Sequence, residues 1–367
     1  MKIAIIGGHL TPALSVIEKL PKEASVLYIG RKHAIEGDDA ISLEYETITK
    51  KGIPFAILKT GRIQRNLTRH TLPSLAKIPY GLLQSIIILR KFHPDAVVGF
   101  GGYVSFPVVL AAKFLKIPIV IHEQTLEAGA ANMFLSRFAD KICISFETSR
   151  KFFSKDKTIL TGNPVRDTII HPSKKFDFGE NEKVIFITGG SLGSHFINHL
   201  VKECLAKLLD NYIIVHQTGG SHEFRDFEKL SILKEGLNNN KRGKYILSRF
   251  FSPSEIGSII KRASLVVSRA GINTVSELIT LQKPAFLIPI PFSQKDEQMK
   301  NAQFLKNLGL GEIKEQKDLT PQVFLLTINQ MMQNIDKYKL SSKQSHFQKD
   351  AAKKIVEVIY AAGKNSN

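Results

Sequence analysis

Leu265-Val266-Val267-Ser268-Arg269-Ala270-Gly271-Ile272-Asn273-Thr274-Val275-Ser276-Glu277-Leu278 is the stretch whose reading decides the fold. Leu265, Val266 and Val267 form a short continuous apolar run, the composition of a strand buried on both faces. Arg269, Ala270 and Gly271 make a sharp turn, and a helical pattern follows from Thr274 to Leu281. A second apolar run at 284–289 reads as the next strand and leads to Ser293-Gln294-Lys295-Asp296-Glu297-Gln298. The whole is one β-turn-α-β unit, with small residues where a ligand can approach the backbone and the helix N-terminus. Unpaired N–H groups and the positive end of the helix dipole suit a phosphate there. Glu277, one turn into the helix, is placed to take the two hydroxyls of a ribose. A second reading stands beside this one. Thr274-x-x-Glu277 is also the pattern of a capping box, in which Glu277 folds back on the N-cap amide and touches no ligand.

Working outward, the order of strand, glycine turn, helix, X-Pro strand and polar end occurs again at 95–124. There Gly99-Phe100-Gly101-Gly102-Tyr103 is the turn and Ile117-Pro118-Ile119-Val120-Ile121-His122-Glu123-Gln124 the second strand. Another echo joins Lys2-Ile3-Ala4-Ile5-Ile6-Gly7-Gly8 to Lys183-Val184-Ile185-Phe186-Ile187-Thr188-Gly189-Gly190. The chain therefore reads as two similar α/β halves, each a doubly wound parallel sheet. The first domain is expected over 1–161 and the second over 162–339, with Asn163-Pro164 favouring a turn between them. Ligands of such sheets bind outside the carboxyl ends of the strands, so the two domains are expected to face each other across a cleft. The lysine-rich segment 340–367 has helical spacing and can pack back on the first domain or on the second.

A chain of 367 residues exceeds most single cores, in agreement with two domains. Hydrophobic content of 43% and charged content of 23% are ordinary for a globular protein. Cys143 and Cys204 lie in apolar segments without metal-ligand spacing, which fits a reducing compartment. Met1-Lys2 runs straight into a strand, so no secretory signal is expected, and no uncharged apolar run reaches the ~20 residues of a spanning helix. The formal net charge of +18 points to a polyanionic partner: nucleic acid, an acidic membrane surface or phosphorylated substrates. The segment 48–93 holds no acidic residue but nine basic ones, among them Arg62, Arg65, Arg69, Lys77, Arg90 and Lys91. Within it, 72–92 is apolar and helical in pattern. It either docks on an anionic lipid surface or buries one face in its own domain.

Gly189-Gly190-Ser191-Leu192-Gly193-Ser194 follows a strand and precedes a helix, so its glycines permit close backbone approach and Ser191 can donate to a phosphate oxygen. A simple tight turn accounts for it equally well, since it matches neither G-x-G-x-x-G nor a Walker loop. His9, after a strand-end glycine pair, is a candidate general base. His122-Glu123 reads either as a base with its orienting carboxylate or as a loop fixed by hydrogen bonds. Hydrolase, kinase and metal-cluster patterns are absent, and so is an Asp-x-Asp pair to chelate a metal diphosphate.

Taken together, 97–105, Ile121-His122-Glu123-Gln124, Gly162-Asn163-Pro164-Val165-Arg166, Gly189-Gly190-Ser191-Leu192-Gly193, Ser268-Arg269-Ala270-Gly271 with Thr274-Val275-Ser276-Glu277, and Lys295-Asp296-Glu297-Gln298 with Asn301-Ala302 resemble the MurG family of cell-wall glycosyltransferases. They keep that family's order and spacing across nearly the whole chain. The resemblance implies the GT-B fold and transfer of GlcNAc from UDP-GlcNAc to lipid I, giving lipid II of peptidoglycan synthesis. It implies no cofactor, metal-independent inverting chemistry and a place at the cytoplasmic face of the membrane, on its anionic inner leaflet, with no nucleic-acid partner. By matching position, Glu277 would hold the ribose hydroxyls, and Ser191 and Arg166 the diphosphate. The backbone near Phe251 would read the uracil, Ile272, Asn273 and Thr274 would line the phosphate and sugar pocket, and Gln298 would bind sugar hydroxyls. Gly7, Gly8, Tyr103, Glu123 and Thr125 fall on the acceptor side, with His9 as the catalytic base.

The chain departs from the family in two places, both on that acceptor side. The family's Gly-Gly-Thr-Gly-Gly-His loop is here only Gly7-Gly8-His9, and its asparagine after His-Glu-Gln is here Thr125. Two other readings are carried forward: a related GT-B enzyme with a different lipid acceptor, and a nucleotide-sugar- or nucleic-acid-binding protein without turnover. The basic stretch has few of the interleaved aromatics that an RNA surface requires.

Overall fold

The computed structural model describes residues 1–33, 41–61, 71–179, 181–221, 223–340 and 350–364, and of 71–76 and 294 the backbone alone. The chain divides into two units, Met1–Arg166 with Gln348–Asn367, and Asp167–Phe347. The first alternates β1 (Lys2–Ile6), α1 (Leu10–Ile17), β2 (Ser25–Gly30), α2 (Leu43–Lys50), β3 (Phe55–Ile57) and α3 (Thr71–Phe92). It continues with β4 (Ala96–Gly99), α4 (Ser105–Phe114), β5 (Ile119–Glu123), α5 (Ala130–Leu135), β6 (Lys141–Ile144) and β7 (Thr158–Leu160). Its sheet is parallel throughout, in the order β3-β2-β1-β4-β5-β6-β7. Alternate residues of β1 face opposite layers, as the two-residue period of a strand dictates. Ile3 and Ile5 join Val98 and Val120 in one core, whereas Ala4 and Ile6 join Val97, Ile119 and Ile121 in the other.

The second unit opens with α6 (Asp167–Ile170), β8 (Val184–Thr188), α7 (His195–Asn211), β9 (Ile213–Gln217), α8 (Asp226–Glu235) and α9 (Asn239–Lys244). It continues with β10 (Tyr245–Ser248), α10 (Pro253–Arg262), β11 (Leu265–Ser268), α11 (Ile272–Thr280) and β12 (Ala285–Leu287). α12 (Glu297–Asn307), β13 (Gly311–Ile313) and α13 (Pro321–Gln333) complete it. The sheet runs β10-β9-β8-β11-β12-β13, again all parallel. One layer packs Ile185, Ile187 and Val267 under α7 and α13, and the other packs Phe186, Val266 and Leu287 under α10, α11 and α12. The last helix, α14 (Ala351–Lys364), returns to the first unit, where Ile355 and Ile359 close the Ile3–Ile5 layer.

α3 presents two apolar stripes rather than one. Gly81, Ser85 and Leu89, spaced by four, are buried, while Tyr80, Leu83 and Ile87 are exposed on another side. Arg62, Arg65 and Arg69 lie outside the described residues. Among the described residues no helix is long and apolar enough to cross a membrane. Cys143 and Cys204 are both buried free thiols.

Candidate active site

Strand order reverses between β8 and β11 in the second unit, so a crevice opens outside the carboxyl ends of that pair. Gly190 borders it from the β8 side and Gly271 from the β11 side. A Cβ added to either would meet nothing within 4 Å. Gly193 is a glycine for an internal reason: its φ is +83°, and a Cβ there would lie 2.0 Å from the Thr218 carbonyl oxygen.

Gly271 is the N-cap of α11 and offers no side-chain cap, so the first amides of the helix and its positive end are left to a ligand. Ile272 is buried and begins the helix, with Asn273 and Thr274 half-buried in its first turn. This start overturns the capping-box reading. Thr274 is the third helical residue, not the cap, and Glu277 is the sixth, about a turn and a half in and beyond reach of the N-cap amide. Glu277 is 7% exposed.

The turn ahead of α11 is clamped from α12. Gln298 Oε1 accepts from the Ala270 N–H at 3.2 Å and the Ile290 N–H at 3.1 Å, and Asn301 Nδ2 donates to the Ala270 carbonyl at 3.0 Å. Gln298 and Asn301, three apart on one helix face, thus fix both sides of a single residue in the turn. Arg269 spans the floor of the crevice: its guanidinium donates to the carbonyls of Ile288 and Pro289, to Ser194 Oγ at 2.7 Å and to Gln316 Oε1 at 3.0 Å. These four acceptors are neutral, so they orient the cation without cancelling its charge. Burial lowers its pKa to about 10, still fully protonated at neutral pH.

Ser191 is exposed beside Gly190, and its carbonyl accepts from the Gly220 N–H at 3.0 Å. Gln217, the last residue of β9, donates to Thr188 Oγ1 at 3.2 Å and accepts from the Phe251 N–H at 3.0 Å. The Phe251 amide is therefore taken by a side chain. Arg166 is half-buried at the end of the first unit.

In the first unit the order reverses between β1 and β4. His9 Nδ1 donates to the Phe100 carbonyl at 2.7 Å, which fixes the tautomer and leaves Nε2 as the lone-pair nitrogen. Gly8 packs against the turn after β4, where a Cβ would lie 2.1 Å from the Gly101 carbonyl oxygen. Tyr103, half-buried, lies under the Arg31 guanidinium at 5.2 Å. His122 and Glu123 do not form a pair: as consecutive strand residues they point to opposite faces. His122 meets Ser145 Oγ at 3.1 Å, and burial pulls its pKa down to about 3. Glu123 accepts from the N–H groups of Thr125 and Gly129 and from Asn132 Nδ2, each at 3.0 Å, and from the Thr125 hydroxyl. Of the two sequence readings, the fixed loop is the one observed, with Thr125 turned inward to hold it.

Sequence reasoning passed over Arg269, Gln217, Asn132 and Asn301 as site residues. Their signals were present but weak: a cation just before the helix turn, a polar strand end, an amide three residues after Gln298, and for Asn132 only an amide nine residues after Glu123. Among the described residues no group of three or more His, Cys, Asp and Glu could hold a metal ion.

Two family models match the chain: the glycosyltransferase family 28 N-terminal domain over residues 6–144 and the family 28 C-terminal domain over 184–356. A UDP-N-acetylglucosamine–N-acetylmuramyl-(pentapeptide) pyrophosphoryl-undecaprenol N-acetylglucosamine transferase of Clostridium perfringens is 34% identical over 92% of this chain and 91% of its own length. One of the same description from Clostridium tetani is 31% identical over 98% and 97%. Among solved structures, MurG of Acinetobacter baumannii superposes with a TM-score of 0.73 at 26% identity, covering 98% of this chain and all of its own. A UDP-GlcNAc 2-epimerase of Neisseria meningitidis, at 17% identity and a TM-score of 0.68, shares the fold.

Proposed function

The chain belongs to glycosyltransferase family 28, among the N-acetylglucosaminyltransferases that convert lipid I, and we propose that it transfers GlcNAc from UDP-GlcNAc to the muramyl C4 hydroxyl of undecaprenyl-pyrophosphoryl-MurNAc-pentapeptide, giving lipid II. The observation that carries this is the uncapped N-terminus of α11 beside the exposed face of Gly271, with buried Glu277 further along the helix and Arg269 below. A diphosphate meets amide donors and a cation there, and a ribose meets a carboxylate.

The reaction is a single displacement. The acceptor oxygen forms a bond to the anomeric carbon, the bond from that carbon to the diphosphate oxygen breaks, and its electron pair leaves with UDP. The configuration inverts. The hydroxyl proton passes to His9 Nε2, the nitrogen left basic by the Nδ1–H bond to Phe100. The helix dipole, Arg269, Arg166 and Ser191 stabilise the charge that grows on the leaving diphosphate. Gln298 directs its amide nitrogen to the sugar, and Ile272, Asn273 and Thr274 shape the pocket around it.

The protein works as a peripheral enzyme on the anionic inner leaflet. Tyr80, Leu83 and Ile87 on α3, and Phe114 at the end of α4, are 56–71% exposed and flanked by the exposed cations Lys77, Arg90, Lys91 and Lys113. A related reading, a different lipid acceptor, draws on the short Gly7-Gly8-His9 loop. Transfer of labelled GlcNAc from UDP-GlcNAc to a short-chain lipid I analogue tests both. Lipid II formation is expected. Tight UDP-GlcNAc binding with no transfer would overturn the lipid I assignment.

A further inference from the structure

Gly7 ends β1 without a side chain, and the reason lies on α2. Ser42 caps that helix: its hydroxyl donates to the Arg31 carbonyl at 2.7 Å and accepts from the Tyr45 N–H at 3.1 Å, while its own N–H donates to the Lys32 carbonyl at 2.8 Å. This staple holds the first turn of α2 against the end of β2, and Glu44, the second helical residue, turns inward. Tyr28, fully buried on β2, donates its hydroxyl to Glu44 Oε1 at 2.7 Å. A Cβ on Gly7 would fall 1.5 Å from that same oxygen, and one on Gly30 would fall 3.0 Å from it. The carboxyl thus fills the volume that a side chain at position 7 would need.

Such a placement is costly. A glutamate in the first turn of a helix ordinarily faces water, where it complements the dipole. Here burial raises its pKa, against the opposing pull of the Tyr28 hydrogen bond and the Arg31 charge. The rest of the loop is gripped from the other side, Gly8 by Gly101 and His9 by Phe100.

We propose that Glu44 is a positioning residue for the acceptor half of the reaction: its carboxyl, wedged between Tyr28 and Gly7, sets the turn Gly7-Gly8-His9 and through it the aim of His9 Nε2. This rests on the transfer reading above. Glu44 belongs to the first unit, whereas β8 and β11 belong to the second.

Four proteins test it: Glu44→Ala, Glu44→Gln, Gly7→Ala, and Gly7→Ala combined with Glu44→Ala. Glu44→Ala should cost about tenfold or more in kcat/KM for a lipid I analogue, with KM for UDP-GlcNAc held within about twofold. Glu44→Gln keeps an acceptor for Tyr28 and should restore most of that loss. Gly7→Ala should be far more damaging alone than in the Glu44→Ala background, where the colliding carboxyl is gone. Equal losses toward donor and acceptor, or a fall in thermal midpoint with kinetics unchanged, would overturn the proposal. So would equal harm from Gly7→Ala in both backgrounds. Failure of the transfer reading would appear in the wild-type chain, as UDP-GlcNAc binding without transfer. The wedge is then judged from the thermal midpoints of the same proteins, and additive midpoints would overturn it.

Discussion

Glu277 and His216 are both buried polar residues, and the two call for different experiments. Glu277 is buried beside a crevice with an uncapped helix end, and we expect Glu277→Ala to weaken UDP binding by roughly 2–3 kcal/mol, about 30- to 160-fold in Kd. Isothermal titration with UDP reads this directly. Unchanged affinity would remove Glu277 from the ribose site. His216 is fully satisfied in the core: Nε2 donates to Asn198 Oδ1 at 3.0 Å, and Nδ1 accepts from the Tyr245 hydroxyl at 3.0 Å. Burial lowers its pKa from 6.5 to about 3. The unfolded chain therefore takes up a proton below pH 6.5 that the native chain refuses until about pH 3, so this histidine's contribution to stability is complete above pH 6.5 and declines as pH falls through that window. Urea melts at pH 7.5 and 5.5 should show His216→Gln losing about 1.4 kcal/mol less than wild type between them. Equal losses would place the proton uptake elsewhere. Glu277 was singled out in sequence beside an ordinary explanation, the capping box, whereas a histidine in an apolar run gives no sign of the pair that holds His216.

The apolar period of 72–92 is plain in the sequence, yet it admits two stripes. The fold decides between them because Gly81 approaches Thr60 closely enough that a Cβ would lie 2.7 Å from it. That contact turns Ser85 and Leu89 inward and leaves Leu83 and Ile87, both more than 60% exposed, outward. Replacing this outward pair by Glu, Leu83→Glu with Ile87→Glu, should reduce flotation with anionic vesicles at least about tenfold at low salt while leaving UDP binding intact, since buried apolar area and cation attraction both fall. Unaltered flotation would mean that α3 is not the membrane face. In α11 the start of the helix was misread by two residues. Thr274 looks like a cap because Gly271 carries no oxygen to announce itself, and only the extended backbone of Gly271 identifies the true boundary.

For the molecule as a whole, two echoes in the sequence correspond to two parallel sheets, each with its strand order reversing at a glycine-bordered edge. The resemblance to cell-wall glycosyltransferases, drawn from motifs spread over the chain, agrees with family 28 models over both halves and with relatives at 31–34% identity. The charge of +18 belongs to the same scale: it favours an anionic partner without naming one, and the apolar face of α3 is the feature that favours a lipid surface. The segment 340–367 left its destination open in sequence because an amphipathic helix fits any apolar layer, and α14 takes the one formed by Ile3, Ile5 and Val98.

The sequence by itself determined the α/β class, the pairing of the two halves and the glycine turns at the strand ends, because these follow from local period and from residues with special backbone freedom. Tertiary structure alone decided what each glycine abuts. Gly271 borders open space, Gly193 yields to Thr218, and Gly7 yields to Glu44, and nothing in a run of glycines separates these cases. Arg269, Gln298 and Asn301 likewise become one clamp only when β11, β12 and α12 are brought side by side. The physical reason is the same throughout: a side chain's partners are set by distance in space, and contacts between residues tens of positions apart leave no period in the chain.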